Sequence, residues 1–394
     1  MKIINKKHTK SLETLLFILA MGIIIRVPFL NRIAIISIPQ LFLQGFIAIL
    51  MLAAIIKKSK ISSYNILLSI ILLFYIASTA LNHGDIMGVL LESLGVFSLS
   101  LLIEYGLKEK RDSFLRAAYI YFFCCVIINL ATVVIFPNGL YETMNLQYTT
   151  SLNWFLGYKN LHILFLFQLI FWGVISDIVK KAKISKKTVV AISLSIITSI
   201  MIESTTTLVG IIIAMLLLII NEVRKNTKLL RIYNFTVIYI IAFVSVIVLR
   251  LQEKYDDLIF SLTQKHSDFV GRTHIWDSVF KLIKERPLIG YGKEESMIRE
   301  AKDMAWPAAH AHNGILELFY RVGIIGAILS LLLIGTAFKE LNKHKNEKVA
   351  KAVIAMIISM FIMLLTEYYA PLYVIPLFTV SYNIRSLLNE KAVS

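Results

Sequence analysis

Apolar runs long enough to cross a bilayer recur along nearly all of this 394-residue chain, and that recurrence constrains its fold more than any motif does. They lie near 12–30, 33–56, 61–81, 86–107, 114–136, 161–179, 188–203, 205–220, 231–250, 312–338, 349–370 and 371–388. A hydrocarbon core about 30 Å thick takes about 20 helical residues to cross. Every backbone N–H and C=O inside lipid must be satisfied within the chain, which leaves helices or closed barrels, and these runs lack the alternation of barrel strands. The expected fold is therefore all-α: a polytopic membrane helix bundle of twelve transmembrane helices, a single integral membrane domain over 1–394. Composition agrees. The chain is 57% hydrophobic and 17% charged, with a mean hydropathy of +0.74, where soluble domains average about 45–50% apolar and about 25% charged.

A net charge of +16 raises the question of nucleic acid, and its distribution answers it. Most Lys and Arg cluster at 1–11, 57–60, 104–116, 180–187, 221–231, 339–351 and the tail, whereas the short intervening loops hold little beyond Arg32 and Lys159. That is the positive-inside pattern, so both termini are expected in the cytoplasm and no nucleic-acid partner is implied. The run after MKIINKKHTK lacks a small-residue cleavage site and reads as a first anchor. Cys124 and Cys125 are adjacent inside one span, where a disulfide is disfavoured.

Two outer segments are long. Residues 137–160, with Pro-Asn-Gly and many Asn, Thr and Tyr, read as an ordered outer loop. Residues 251–311 form one large extracytoplasmic loop containing short helices. Within it Ile275, Trp276, Val279, Phe280 and Ile283 share a helical face, which suits a helix lying on the outer membrane surface. Pro287 and Gly290 end it, and 293–304 reads as a second, more soluble helix before Trp306-Pro307 turns the chain back.

The candidate chemistry gathers where this loop re-enters the membrane. Arg272 reads either as a solvated arginine of the surface helix or as a phosphate clamp, since guanidinium offers a planar fork suited to a diphosphate. His312, with Asn313, opens a span; it reads either as a polar anchor or as a general base, because imidazole titrates near neutrality. Glu317 and Arg321, four apart, are expected to form an intramembrane ion pair facing the bundle interior. Arg26, near the outer end of the first span, is a candidate for substrate phosphate, whereas Arg250 and Glu203 are expected to snorkel at the outer interface. His310 and His312 invite a metal reading. A spacing of two puts them on different sides of a helix, and no neighbouring Cys or carboxylate completes a set, so no metal is expected. The chain carries no Walker loop, no Gly-rich dinucleotide fingerprint and no Asp-x-Asp pair, so neither a nucleotide nor any other cofactor is expected.

These residues resemble a known family. Arg272 opening an amphipathic helix, Glu285-Arg286-Pro287-Leu288-Ile289-Gly290-Tyr291-Gly292, and His312-Asn313 followed nine residues later by Gly323-Ile324-Ile325-Gly326 resemble the O-antigen ligase and polymerase superfamily, including Wzy-type polymerases. Gly157-Tyr158-Lys159-Asn160 resembles its Lys-Asn motif and Ser204-Thr205-Thr206-Thr207 its Ser-rich turn. Thr206 or Thr207 stands where many members carry Arg, and Trp276 where ligases often have Leu, which leans toward polymerase. The resemblance implies a metal-independent glycosyltransferase at the outer face of a bacterial plasma membrane, with an undecaprenyl-type polyprenyl-pyrophosphate oligosaccharide as donor and another lipid-linked repeat as acceptor. It implies His312 as the base and Arg272, with Arg26 or Lys159, against the leaving pyrophosphate. His310, Asn160, Asn313, Glu317 and Arg321 are then candidates for substrate binding. A chain-length regulator and a flippase of the same pathway are the implied protein partners. A ligase moving finished glycan to another acceptor, and a lipid-linked sugar flippase or secondary transporter, are the competing readings; the second lacks the matched broken helices of transporters.

Overall fold

The computed structural model describes residues 2–58, 61–144, 150–223, 231–255, 272–294 and 308–388. Its helices are α1 (Lys2–Ile24), α2 (Pro28–Asn31), α3 (Ala34–Lys58), α4 (Ser63–Leu81), α5 (Ile86–Glu109), α6 (Arg111–Ile135), α7 (His162–Lys181), α8 (Lys186–Met201), α9 (Thr205–Val223), α10 (Ile232–Phe243), α11 (Arg272–Glu285), α12 (Gly314–Lys343), α13 (Lys348–Leu364) and α14 (Pro371–Tyr382). Each apolar run of the sequence coincides with a helix. Among the described residues, five helical segments are long and apolar enough to cross a membrane: Ser63–Leu81, Ile86–Glu109, Arg111–Ile135, Lys159–Lys181 and Gly314–Lys343.

α7 is apolar all round and almost wholly buried, as a helix surrounded by other helices must be. Outward-facing Leu19, Phe42, Phe46, Ile49, Leu73, Ile219, Ile241 and Leu331 instead give the bundle an apolar exterior of a kind that water does not favour and lipid does. The protein is an all-α membrane protein.

Contacts between loops sort the chain into two ends. At one end Lys58 meets Glu109 at 2.5 Å, Lys110 meets Glu13 at 2.6 Å, and Lys348 donates to the Ala182 carbonyl at 3.2 Å. At the other, Phe29 N–H donates to Phe155 O at 3.3 Å and Asp85 N–H to Lys293 O at 2.8 Å. Each end thus gathers its own set of connecting segments.

Three outer features differ from expectation. The 137–160 loop is not only irregular: β1 (Tyr141–Met144), β2 (Thr150–Trp154) and β3 (Gly157–Tyr158) make an antiparallel meander with Tyr141 opposite Asn153 and Trp154 opposite Gly157. Its strands are two to five residues long, too short for alternation to register in the sequence, and the Trp154 indole pins the meander to the Phe136 carbonyl at 2.8 Å. The α11 helix forms where expected, but Ile275, Trp276 and Val279 are buried against Tyr291, Ala311, Leu316 and Tyr320, so its apolar face meets protein rather than lipid. Arg250, expected to snorkel, instead pairs with Asp277 of α11 and donates to Thr273 O at 3.2 Å. The second loop helix at 293–304 and the Trp306-Pro307 turn fall almost entirely outside the described residues.

α12 breaks at Gly323, and the Pro287–Gly292 strap fills the break. Gly323 has φ +59° and ψ −165°, outside helical space. The Tyr320 and Arg321 carbonyls accept from Tyr291 and Gly292 N–H at 2.8 Å each, and Ile324 and Ile325 N–H donate to Pro287 and Leu288 carbonyls at 2.8 and 3.1 Å. Backbone groups freed by the break are thereby satisfied, as lipid requires. A Cβ on Gly323 would lie 2.4 Å from both the carbonyl carbon and the oxygen of Leu288. Gly323→Ala is expected to destabilise by at least about 1–3 kcal/mol, the cost of a strained φ alone. Thermal melting in detergent checks it, and an unshifted midpoint would mean the strap does not seat in this break.

Candidate functional site

The strap and the α12 break fix the start of α12, where the polar centre lies. Asn313 caps that helix, accepting from Ile315 and Leu316 N–H at 3.0 and 2.9 Å, while its amide donates to Leu365 O at 2.7 Å. Asn313, a candidate substrate contact, is fully buried, and it holds the 308–313 loop against the 365–370 turn. That turn exists because α13 stops at Leu364 and Pro371 restarts the chain as α14, which keeps the residue before the proline extended.

Glu367 stands in the turn and gathers the centre. Its Oε1 accepts from His312 Nδ1 at 2.8 Å, and its Oε2 lies 3.1 Å from Arg272 Nη2, while Arg272 Nη1 donates to the Thr366 carbonyl. His310 stacks obliquely on His312 with ring centroids 4.1 Å apart, and its Nδ1 is 4.0 Å from the same Glu367 oxygen. His312 adopts φ +47°, a left-handed conformation that His tolerates better than most residues and that turns its ring into the cluster. The carboxylate side chain is 3% exposed, whereas Arg272, His312 and His310 keep 19, 25 and 29%, so the acid is sealed and its three partners face outward.

Burial pushes the Glu367 carboxyl up, but the His312 hydrogen bond, the Arg272 charge and the charge of either imidazole when protonated outweigh it and hold the group below the usual carboxylate range. A carboxylate is an acceptor only, so in this contact His312 Nδ1 carries the proton, and the neutral form of the ring has its lone pair on Nε2. The His312 backbone N–H donates to His310 Nδ1 at 3.3 Å, which makes that nitrogen the acceptor in the His310 ring.

Sequence reasoning joins Arg272 with His312, and the structure brings them together through one carboxylate. It also forms the expected Glu317–Arg321 pair, with Arg321 Nε 2.6 Å from Glu317 Oε1. The pair has further partners: Arg321 also donates to Tyr75 OH at 2.7 Å and covers the Tyr368 ring, and Glu317 accepts from Ala311 N–H at 2.8 Å. Lys159 and Asn160 sit in the short 3-10 turn before α7. Their neighbour Tyr158 feels the centre: burial, with the Glu367 charge adding to it, pushes its phenol upward. Arg26, between α1 and α2, interacts with Tyr373 of α14 and forms no hydrogen bond or ion pair with the His312 cluster among the described residues. The Ser-rich turn is internal structure, Ser204 and Thr207 hydroxyls meeting at 2.7 Å with both residues buried.

Two premises about this region change. His310 and His312 lie in a non-helical loop, so their spacing of two does not separate them, and Glu367 supplies the carboxylate that the local sequence lacks. Glu367 itself escapes assignment because it is 55 residues from His312; the available signal is a lone acid ending an apolar run four residues before Pro371.

Beside the centre lies an apolar cavity of about 350 Å³ among α4, α5, α10, α12, α13 and α14, with Gly314, Tyr368 and Tyr369 on its wall and Glu92, Glu317 and Arg321 as its charged lining. A His–carboxylate–Arg cluster at one end of a membrane bundle, next to such a cavity, defines a membrane protein with a partly exposed polar centre.

Comparison with known proteins finds matches over part of the chain. Residues 190–331 match the family described as O-antigen ligase, a stretch that includes Arg272, His310, His312, Glu317 and Arg321 but not Glu367. A Rickettsia conorii protein named as a candidate polysaccharide ligase is 31% identical over 107 residues, 25% of this chain and 26% of its own length. The exopolysaccharide production protein ExoQ of Rhizobium meliloti is 29% identical over 92 residues, 21% of each chain, and a Rickettsia felis candidate polysaccharide ligase is 31% identical over 107 residues, 25% of this chain and 26% of its own length. The chain thus spans about a quarter of the length of the curated relatives it matches. These matches support an O-antigen ligase/polymerase-type family, the one that the motifs at Arg272 and His312 resemble.

Proposed function

We propose that this protein is a glycosyltransferase that moves a polyprenyl-pyrophosphate-linked glycan onto an acceptor at the outer face of the plasma membrane, polymerising lipid-linked repeat units. Both termini then lie in the cytoplasm and the twelve helical runs all cross. The observation that carries the reading is the bridge His312–Glu367–Arg272. His312 Nε2 takes the proton of the acceptor hydroxyl, the acceptor oxygen bonds to the anomeric carbon of the donor, and the bond from that carbon to the pyrophosphate breaks. Arg272 spends two of its N–H groups on Thr366 and Glu367, and the rest of its five-donor fork is available to the departing diphosphate. No metal is needed for this step, because the proton acceptor and the countercharge are both side chains. The apolar cavity beside Tyr368 and Tyr369 offers room for part of the polyprenyl tail.

Gel analysis of surface glycan from a strain lacking the protein tests the reading: single repeats in place of a ladder are expected. A ligase is the second reading, favoured by the description of the matching family and the names of the Rickettsia relatives. It predicts full-length polymer left unattached instead, and an unchanged ladder would remove both. Arg272→Lys keeps a charge but loses the fork, and turnover with a lipid-linked donor is expected to fall about 10²–10³-fold, as when one oxyanion donor is deleted. Undiminished turnover would exclude Arg272 from charge stabilisation.

A further inference from the structure

We propose that His310, His312 and Glu367 also form a divalent-cation site, of the kind that takes Zn²⁺, and that a cation held there switches the centre off. One ligand atom from each of His310, His312 and Glu367 lies within 4.8 Å of the others, and His312 Nδ1 is 2.8 Å and His310 Nδ1 4.0 Å from Glu367 Oε1. Two imidazoles and one carboxylate are a recurrent zinc donor set, with ligand bonds of about 2.0–2.2 Å and a fourth position left open. Three atoms with these separations surround one ion after small side-chain rotations. His310 Nδ1 accepts from the His312 N–H at 3.3 Å, so that nitrogen carries no proton and a cation bound there would take the place of this hydrogen bond. Arg272 engages the other carboxylate oxygen, Oε2, at 3.1 Å, which weakens cation affinity by repulsion yet fixes the direction in which Oε1 points. The three side chains come from two segments, the loop before α12 and the turn before α14, so the site exists only in the folded protein.

The consequence follows from the ring chemistry. A cation on His312 Nδ1 displaces the proton now shared with Glu367, and that proton settles on Nε2. No proton is lost overall, but the lone pair that the proposed transfer uses disappears. Inhibition therefore rests on the proposed role of His312, whereas binding does not.

The test uses the full-length protein in detergent, free of any histidine tag and stripped with chelator. Titration calorimetry with Zn²⁺ is expected to give one saturable site, weakened more than about 100-fold in His310→Ala and in Glu367→Gln, beyond what losing an outer partner costs. Co²⁺ in the wild-type protein is expected to give the absorption bands of a four-coordinate ion, which needs no variant to fold. Lack of saturable binding, or binding by both variants as strong as that of the wild type, overturns the site. Zn²⁺ should also stop glycan transfer by the wild-type protein, with recovery on adding chelator. Binding at these residues without inhibition would leave the site standing and remove His312 Nε2 from the reaction.

Discussion

Replacing His312 by Asn is expected to leave the protein in the membrane at normal abundance while surface glycan loses its long chains. Asn is the informative replacement because it accepts the left-handed backbone found at this position, φ +47°, as readily as His does. Its amide nitrogen also falls near the place of His312 Nδ1, so the hydrogen bond to Glu367, 2.8 Å in the native centre, has a donor to keep it. The Asn313 cap and its tie to Leu365 are untouched. What vanishes is the lone pair on Nε2. A positioned general base contributes about 10²–10⁴-fold, so turnover of a purified lipid-linked repeat should drop by that much with little change in substrate affinity. Immunoblotting of membranes separates this from a folding failure. A ladder of normal length in His312→Asn would take His312 out of the chemistry, whatever happens in other variants.

How much of this was legible in the sequence depends on how far apart the cooperating residues lie. Helices announce themselves one run at a time, and each apolar run coincides with a helix, though several bounds differ by six residues or more: α1 covers Lys2–Ile24, α10 and α14 end at Phe243 and Tyr382, and α13 stops before the 365–370 turn. The Glu317–Arg321 pair is a local, four-residue relation and appears as read. The α11 face was read correctly as a stripe but assigned to lipid, because periodicity reports that a face is buried and not what covers it. The strap in the α12 break joins Pro287–Gly292 with Gly323: its glycines mark unusual backbone, but only the fold shows that one segment supplies hydrogen bonds to the other. The centre follows the same rule. Arg272 and His312 share a family motif and could be paired, whereas their common partner Glu367 lies beyond the matching family region and carries no motif of its own. Long-range polar contacts of single residues leave no period and no spacing to read.

Glu367→Gln puts that invisible partner to the test. The substitution keeps the size of the side chain and removes its charge, at a position where the carboxylate is 3% exposed and its two oxygens serve different partners. A glutamine can place its NH₂ group opposite His312 Nδ1, which stabilises the tautomer with the proton on Nε2 and leaves no lone pair for the acceptor hydroxyl. It also withdraws the charge that sets Arg272 against the turn. Removing the negative partner behind a catalytic histidine through the analogous Asp-to-Asn change lowers turnover about 10⁴-fold in serine proteases, and a loss approaching that size is expected here. Glu367 acts through its neighbours, so the readout has to separate positioning from packing: kcat should collapse while KM for the lipid-linked donor stays near its wild-type value, and Glu367→Asp should recover part of the rate. If Gln and Asp prove equally inactive and both melt early, the residue serves only to hold the turn together. If Gln is as active as wild type, the hydrogen bond at 2.8 Å does not set the tautomer of His312, and the base must be sought elsewhere in the centre.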